Sequence, residues 1–110
     1  MIAIVTPTTP GRYRVKGDVD AVDLDRCSLV ETLIQNLDPQ KLKANPQESE
    51  DADPQDLKLN IEPNGSGLYT LWVRYAGYHQ GSPRFDHEGA RRWVDVFLRG
   101  YEAYVETGVV

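Results

Sequence analysis

The segment from Tyr78 to His87 gathers the side chains best suited to chemistry, namely His79, Ser82, Arg84, Asp86 and His87. A histidine exchanges protons near neutral pH, and an arginine can hold an anion. With His79 as acid or base and Arg74 or Arg84 as the anion holder, the 78–87 loop suggests a small enzyme or an anion-binding protein. The marks of a defined motif are missing. The segment contains no nucleophile elbow and no phosphate loop, and the spacing of His79 and His87 fits no zinc pattern. Hydrogen-bonding residues that lead into a capped helix routinely have this composition.

Two other groups invite a chemical reading. Asp18, Asp20, Asp23 and Asp25 offer carboxylates of the kind a hard cation takes. Their spacing departs from the EF-hand loop, and on a strand Asp18 and Asp20 share one face while Asp23 and Asp25 share the other. They read as a solvated acidic approach to a helix. Cys27 is the single cysteine. It has no neighbouring base and stands in an apolar context, so a buried thiol without catalytic use is expected. No catalytic residue, cofactor site or metal site is assigned.

The composition favours recognition of another macromolecule. The chain carries 12 basic and 17 acidic residues, a net charge of −5. That balance argues against direct gripping of nucleic-acid phosphates, whereas an acidic surface is steered towards basic grooves. From Asn45 to Asp56 the chain holds Glu48, Glu50, Asp51, Asp53 and Asp56, with two prolines and a single apolar residue. Such a segment buries too little to offset its ordering entropy, which predicts a mobile acidic loop. Trp72 falls on the strand face opposite the one the helices are expected to cover, where an aromatic can anchor a partner. Partner binding is therefore assigned to Glu48, Glu50, Asp51, Asp53, Trp72, Arg74 and Tyr78.

These residues need a scaffold, and its clearest element is the last helix. Ala90, Trp93, Val94, Phe97, Leu98, Tyr101, Tyr104 and Val105 recur at helical spacing, with charged residues on the other side. Asp86 caps its start and Gly108 its end. Gly89, Val96, Gly100 and Ala103 extend the apolar arc as a strip of small residues that suits a close neighbour. The chain's first helix is the expected neighbour, with a second copy or a partner as alternatives. That first helix is expected from Ser28 to about Leu37, opened by the capping box Ser28-Leu29-Val30-Glu31 and ended by Asp38-Pro39, with a further short turn through Leu42. Strands are expected at Ile2 to Val5, at Arg12 to Lys16 with its three cations on the solvated side, and at Leu57 to Glu62 and Leu68 to Tyr78. The last two form a hairpin.

This order of elements predicts one α+β domain, a two-layer sandwich of an antiparallel sheet of about four strands with two helices on one face. No apolar run approaches the roughly 20 residues of a membrane span. The first five residues lack the basic flank and the length of a signal peptide, so a cytoplasmic protein is expected. The functional expectation is a small acidic, non-enzymatic protein-binding module that needs no cofactor. In its sharper form it is a phage- or mobile-element-type inhibitor that covers the basic nucleic-acid-binding surface of a host or defence complex, without binding nucleic acid directly. A structural homo-oligomer subunit, a homodimer through the small-residue strip, is the alternative.

Overall fold

The computed structural model describes residues 1–38, 53–65 and 67–108. In chain order the elements are β1 (Ile2–Pro7), β2 (Tyr13–Gly17), β3 (Ala21–Leu24), α1 (Arg26–Gln35), β4 (Leu57–Pro63), β5 (Tyr69–Tyr75), β6 (Tyr78–Gly81) and α2 (His87–Thr107). All strands join one antiparallel sheet in the order β3-β2-β1-β4-β5-β6. Each half of the chain thus runs through three strands and then a helix. Strand order and direction are symmetric about the central β1–β4 pair.

The α+β class with an antiparallel sheet and two helices agrees with expectation, but the sheet has six strands, not about four. The two extra strands come from segments whose side chains disguise them. β3 exposes Val22 and Asp23, and Asp23 sits at φ 57° where the register with β2 shifts. β6 arises because Ala76 and Gly77, at φ 49° and 82°, fold the expected long strand back on itself. Positive φ at both central residues is the type I′ arrangement that suits a two-residue hairpin. Nor is the whole a clear two-layer sandwich. The edge strands β3 and β6 bury none of their residues fully, so the core thins towards the margins of the sheet.

The core follows from alternation along the strands. Ala3 and Val5, Tyr13 and Val15, Leu57, Leu59 and Ile61, and Leu71, Val73 and Tyr75 are buried in one cluster with Leu29, Leu33, Val94, Leu98 and Tyr101 of the helices. Each fully buried Leu or Val of this set contributes about 1.5–3 kcal/mol. α2 runs against β5, α1 runs against β2 and β3, and the helices contact each other. No helix of the described residues is long and apolar enough to cross a membrane.

Capping fixes both helices. Asp86 accepts from Gly89 N–H at 2.8 Å, and Gly108, at φ 72°, donates to the Tyr104 carbonyl, as expected. α1 starts two residues before the expected Ser28. Its cap is Asp25, whose carboxylate accepts from Ser28 N–H at 2.7 Å and is thereby held below its ordinary pKa. The earlier start leaves Cys27 exposed and not buried. The proposed turn through Leu42 lies outside the described residues.

Ion pairs and phenols lock α2 in place. Arg26 of α1 pairs with Asp95 and, at 3.7 Å, with Glu102, while Arg91 grips Glu31 through two hydrogen bonds of 2.8 and 3.0 Å. α1 therefore lies along the charged flank of α2 and does not occupy the small-residue strip. Val96 in that strip is 49% exposed. Glu102 also accepts from the Tyr13 hydroxyl at 3.1 Å. Tyr101 is buried edge-on against Tyr75, with centroids 5.0 Å apart, and donates to the Gln55 carbonyl at 3.2 Å.

Two expectations follow. A Cβ at Gly100 would meet only the Tyr75 hydroxyl, at 3.9 Å. Gly100→Ala should therefore stabilise the fold by up to about 1 kcal/mol in urea denaturation, and a loss of stability would reveal a contact this strip makes. Burial, reinforced by Glu102, pushes the Tyr13 phenol up to about 12, and burial likewise raises Tyr75 and Tyr101. Unfolded tyrosines titrate near pH 10, so the folded state holds these protons more tightly. Their contribution is complete below about pH 10 and is lost as pH rises towards about 12. The urea midpoint should fall over that window, and less steeply in Tyr13→Phe.

Candidate functional site: the helix-free face of the sheet

Because the odd-numbered residues of β4 and β5 turn towards the helices, Lys58, Asn60, Glu62, Thr70, Trp72 and Arg74 emerge on the opposite face. On β2, Arg14 and Lys16 do the same. Cross-strand register orders them. One row reads Lys16, Ile4, Lys58, Arg74 and His79, each directly opposite the next on adjoining strands. The neighbouring row reads Ile2, Asn60, Trp72 and Gly81.

Trp72 is the large side chain of this face and is 41% exposed. Its indole leans across β6 onto Gly81, where an added Cβ would stand 2.4 Å from Cζ3. Gly81 therefore serves close approach and not an unusual backbone angle. The His79 ring lies beside the indole, with centroids 5.9 Å apart. Trp72 is thus held by two neighbours and still reaches solvent. Lys58 Nζ donates to the Asp53 carbonyl at 3.1 Å, which ties the row to the turn before β4. Asn60 donates to Glu62 at 2.9 Å, while its Oδ1 is buried without a hydrogen-bond partner, as is Nε of Arg14.

Of the residues assigned to partner binding, the structure brings Trp72 and Arg74 together on this face. Tyr78 stands on the other side of the sheet, its ring tilted against Tyr75 with centroids 5.2 Å apart, and packed against the core. Asp53 lies in a turn in which its Oδ1 accepts from Gln55 N–H at 2.9 Å, and the adjoining Pro54 carbonyl accepts from Ala76 N–H at 2.9 Å. The end of the acidic segment is thereby pinned to the β5–β6 turn. Glu48, Glu50 and Asp51 lie outside the described residues.

The side chains of the 78–87 segment are spread out. His79 pairs with Arg74, whereas Phe85 bridges to Tyr69 at the far end of β5. That is a separation of roughly 17 Å at about 3.4 Å per residue. The Ser82 hydroxyl is engaged by Leu71 N–H and the Pro83 carbonyl, both at 2.9 Å. Asp18 and Asp25 are spent on the Ile2 N–H and on the α1 cap. No group of three His, Cys, Asp or Glu among the described residues is placed to hold a metal ion.

A concavity of about 440 Å³ opens between α1 and α2 beside Cys27, Val30 and Arg92. Arg26, Arg91 and Arg99, which also line it, are each in an ion pair.

Sequence reasoning placed Lys58 and Lys16 on solvated strand sides but did not join them to Trp72. The missing signal was register, since alternation says which face a residue takes and not which residue stands beside it.

No protein-family model matches the chain, and no curated protein or solved structure matches it either.

The seating of Trp72 is open to test. In a Trp93→Phe background, where Trp72 is the remaining tryptophan, Gly81→Val should raise acrylamide quenching of its fluorescence while far-UV circular dichroism stays the same. Unchanged quenching would show that the indole does not rest on β6.

Proposed function

We propose that this protein is a non-enzymatic binding module that engages its partner with the helix-free face of the sheet, Trp72 serving as the anchor. The observation that carries this reading is a half-exposed indole held between Gly81 and His79 beside Lys58 and Arg74. A restrained aromatic loses little entropy on binding, and tryptophan and arginine are the side chains in which interface energy concentrates. The same face supports a partner surface of negative charge.

The opposite side of the molecule supports a second reading. The helices and their caps carry seven carboxylates, Asp25, Glu31, Asp86, Glu88, Asp95, Glu102 and Glu106, against four arginines. An inhibitor of the phage or mobile-element type would lay this side on the basic nucleic-acid-binding surface of a host or defence complex, with charge steering the encounter.

Affinity capture separates the two readings. Tagged wild-type protein, Trp72→Ala and a Glu88→Lys/Glu106→Lys variant are incubated with lysate of the encoding organism, and retained material is identified by mass spectrometry and nucleic-acid staining. Retention lost in Trp72→Ala, by about tenfold or more for a hot-spot aromatic, supports the anchor. Retention lost only in the charge-reversed variant supports the acidic side and removes Trp72 from the account.

A further inference from the structure

We propose, building on the binding-module reading, that the helix-free face binds single-stranded nucleic acid, its phosphates following the row from Lys16 to His79 and a base stacking on Trp72. Lys16, Lys58, Arg74 and His79 stand in direct cross-strand register, with Ile4 as the apolar member of the row. Five neighbouring strands at about 4.8 Å give a track roughly 19 Å long. Three fixed cations, Lys16, Lys58 and Arg74, on one row across the sheet suit a linear polyanion, with His79 at its end. On β2, β4 and β5 Glu62 is the one carboxylate of this face, and the Asn60 amide donates to it at 2.9 Å, while on the edge strand β3 Asp23 is exposed and paired with Arg12 at 3.9 Å.

Trp72 stands in the next row, beside this track. Its indole and the imidazole of His79 form a small aromatic platform flanked by positive charge, the combination that holds single strands through base stacking irrespective of sequence. A duplex keeps its base faces stacked inside and offers none to such a platform. Asn60, directly opposite Trp72, has its Oδ1 buried, so the distinction from an acidic polypeptide rests on base stacking against the indole.

The net charge of −5 does not oppose this assignment at contact range. The carboxylates of α1 and α2 lie on the opposite side of the sheet, and through solvent their field decays with a Debye length of about 8 Å at physiological ionic strength. What a bound strand meets is the local sign of the face.

The test is fluorescence anisotropy of the full chain with fluorescein-labelled oligothymidylate and oligouridylate of about 12 nucleotides, longer than the track and within the range of known single-strand sites. Labelled polyglutamate serves as the competing ligand class. The expected result is oligonucleotide binding that weakens with salt. Trp72→Ala should reduce the affinity roughly ten- to hundredfold, and Lys58→Ala should lower the slope of log affinity against log salt by about 0.7. Gly81→Val displaces the indole without removing it and should weaken binding in the same direction. Oligonucleotide binding unchanged in all three variants would overturn the proposal. So would wild-type protein that binds polyglutamate and not the oligonucleotides, or neither. Retention from lysate that depends on Trp72 yet survives nuclease would then leave the binding-module reading standing without nucleic acid, whereas loss of Trp72 dependence would remove that reading itself.

Discussion

Burying Leu57, Leu59 and Ile61 beneath the helices forces Lys58, Asn60 and Glu62 to the other side, because successive side chains of a strand alternate. The same constraint acts on β2 and β5, and the sheet collects the results. The two described helices cover one face, so on β2, β4 and β5 the apolar residues spent on the core set polar or aromatic neighbours on the other face, while β1 sets Ile2 and Ile4 there. Tyr13 and Val15 send out Arg14 and Lys16, while Leu71, Val73 and Tyr75 send out Trp72 and Arg74. The positive character of that face is thus tied to the core by geometry. A one-residue slip of any central strand would exchange the two sets.

The two described helices are fastened to the other face of the sheet. Tyr101 is the point where α2 meets Tyr13 of β2, Tyr75 of β5 and the turn at Gln55. Around it, Arg26 draws Asp95 and Glu102 towards the start of α1, and Glu102 takes the Tyr13 hydroxyl. These contacts are partly shielded from water, where charge-assisted hydrogen bonds are stronger than at a free surface. With the Arg91–Glu31 and Arg99–Asp95 pairs, Arg26, Arg91 and Arg99 are all engaged by carboxylates. The acidic balance of that side is left facing away from the sheet.

Much of this architecture was legible in the sequence. The span and both caps of α2 follow from the spacing of its apolar residues and from Asp86 and Gly108, and the alternation of Leu57 to Glu62 gives β4 and its faces directly. What escaped was non-local or backbone-encoded. β3 carries Val22 and Asp23 facing water, yet its backbone pairs with β2 all the same. Ala76 reads as a strand residue until Gly77 beside it takes a turn that demands positive φ from both. Asp25 took the cap that the Ser28-to-Glu31 pattern advertised, and that moved Cys27 to the surface. At the site, Trp72 was legible as an exposed aromatic. Its seat on Gly81 and its place beside the basic row depend on register, which no single strand encodes. Net charge was the least informative quantity, because it averages two sides of opposite sign.

The symmetric strand order has a bearing on how the chain reaches this state. β2 returns along β1, and β5 along β4, after connections of a few residues, so each meander can close locally. The seam between them pairs Ile2 with Asn60 and Val5 with Leu57, across most of the first half of the chain. Loop-closure entropy makes such a junction slow to form relative to its flanking hairpins. The seam also runs through the middle of the open face, between Ile4 and Lys58. The continuous row therefore exists only once both meanders have joined, and a partner that grips it from end to end selects the completed fold over either half.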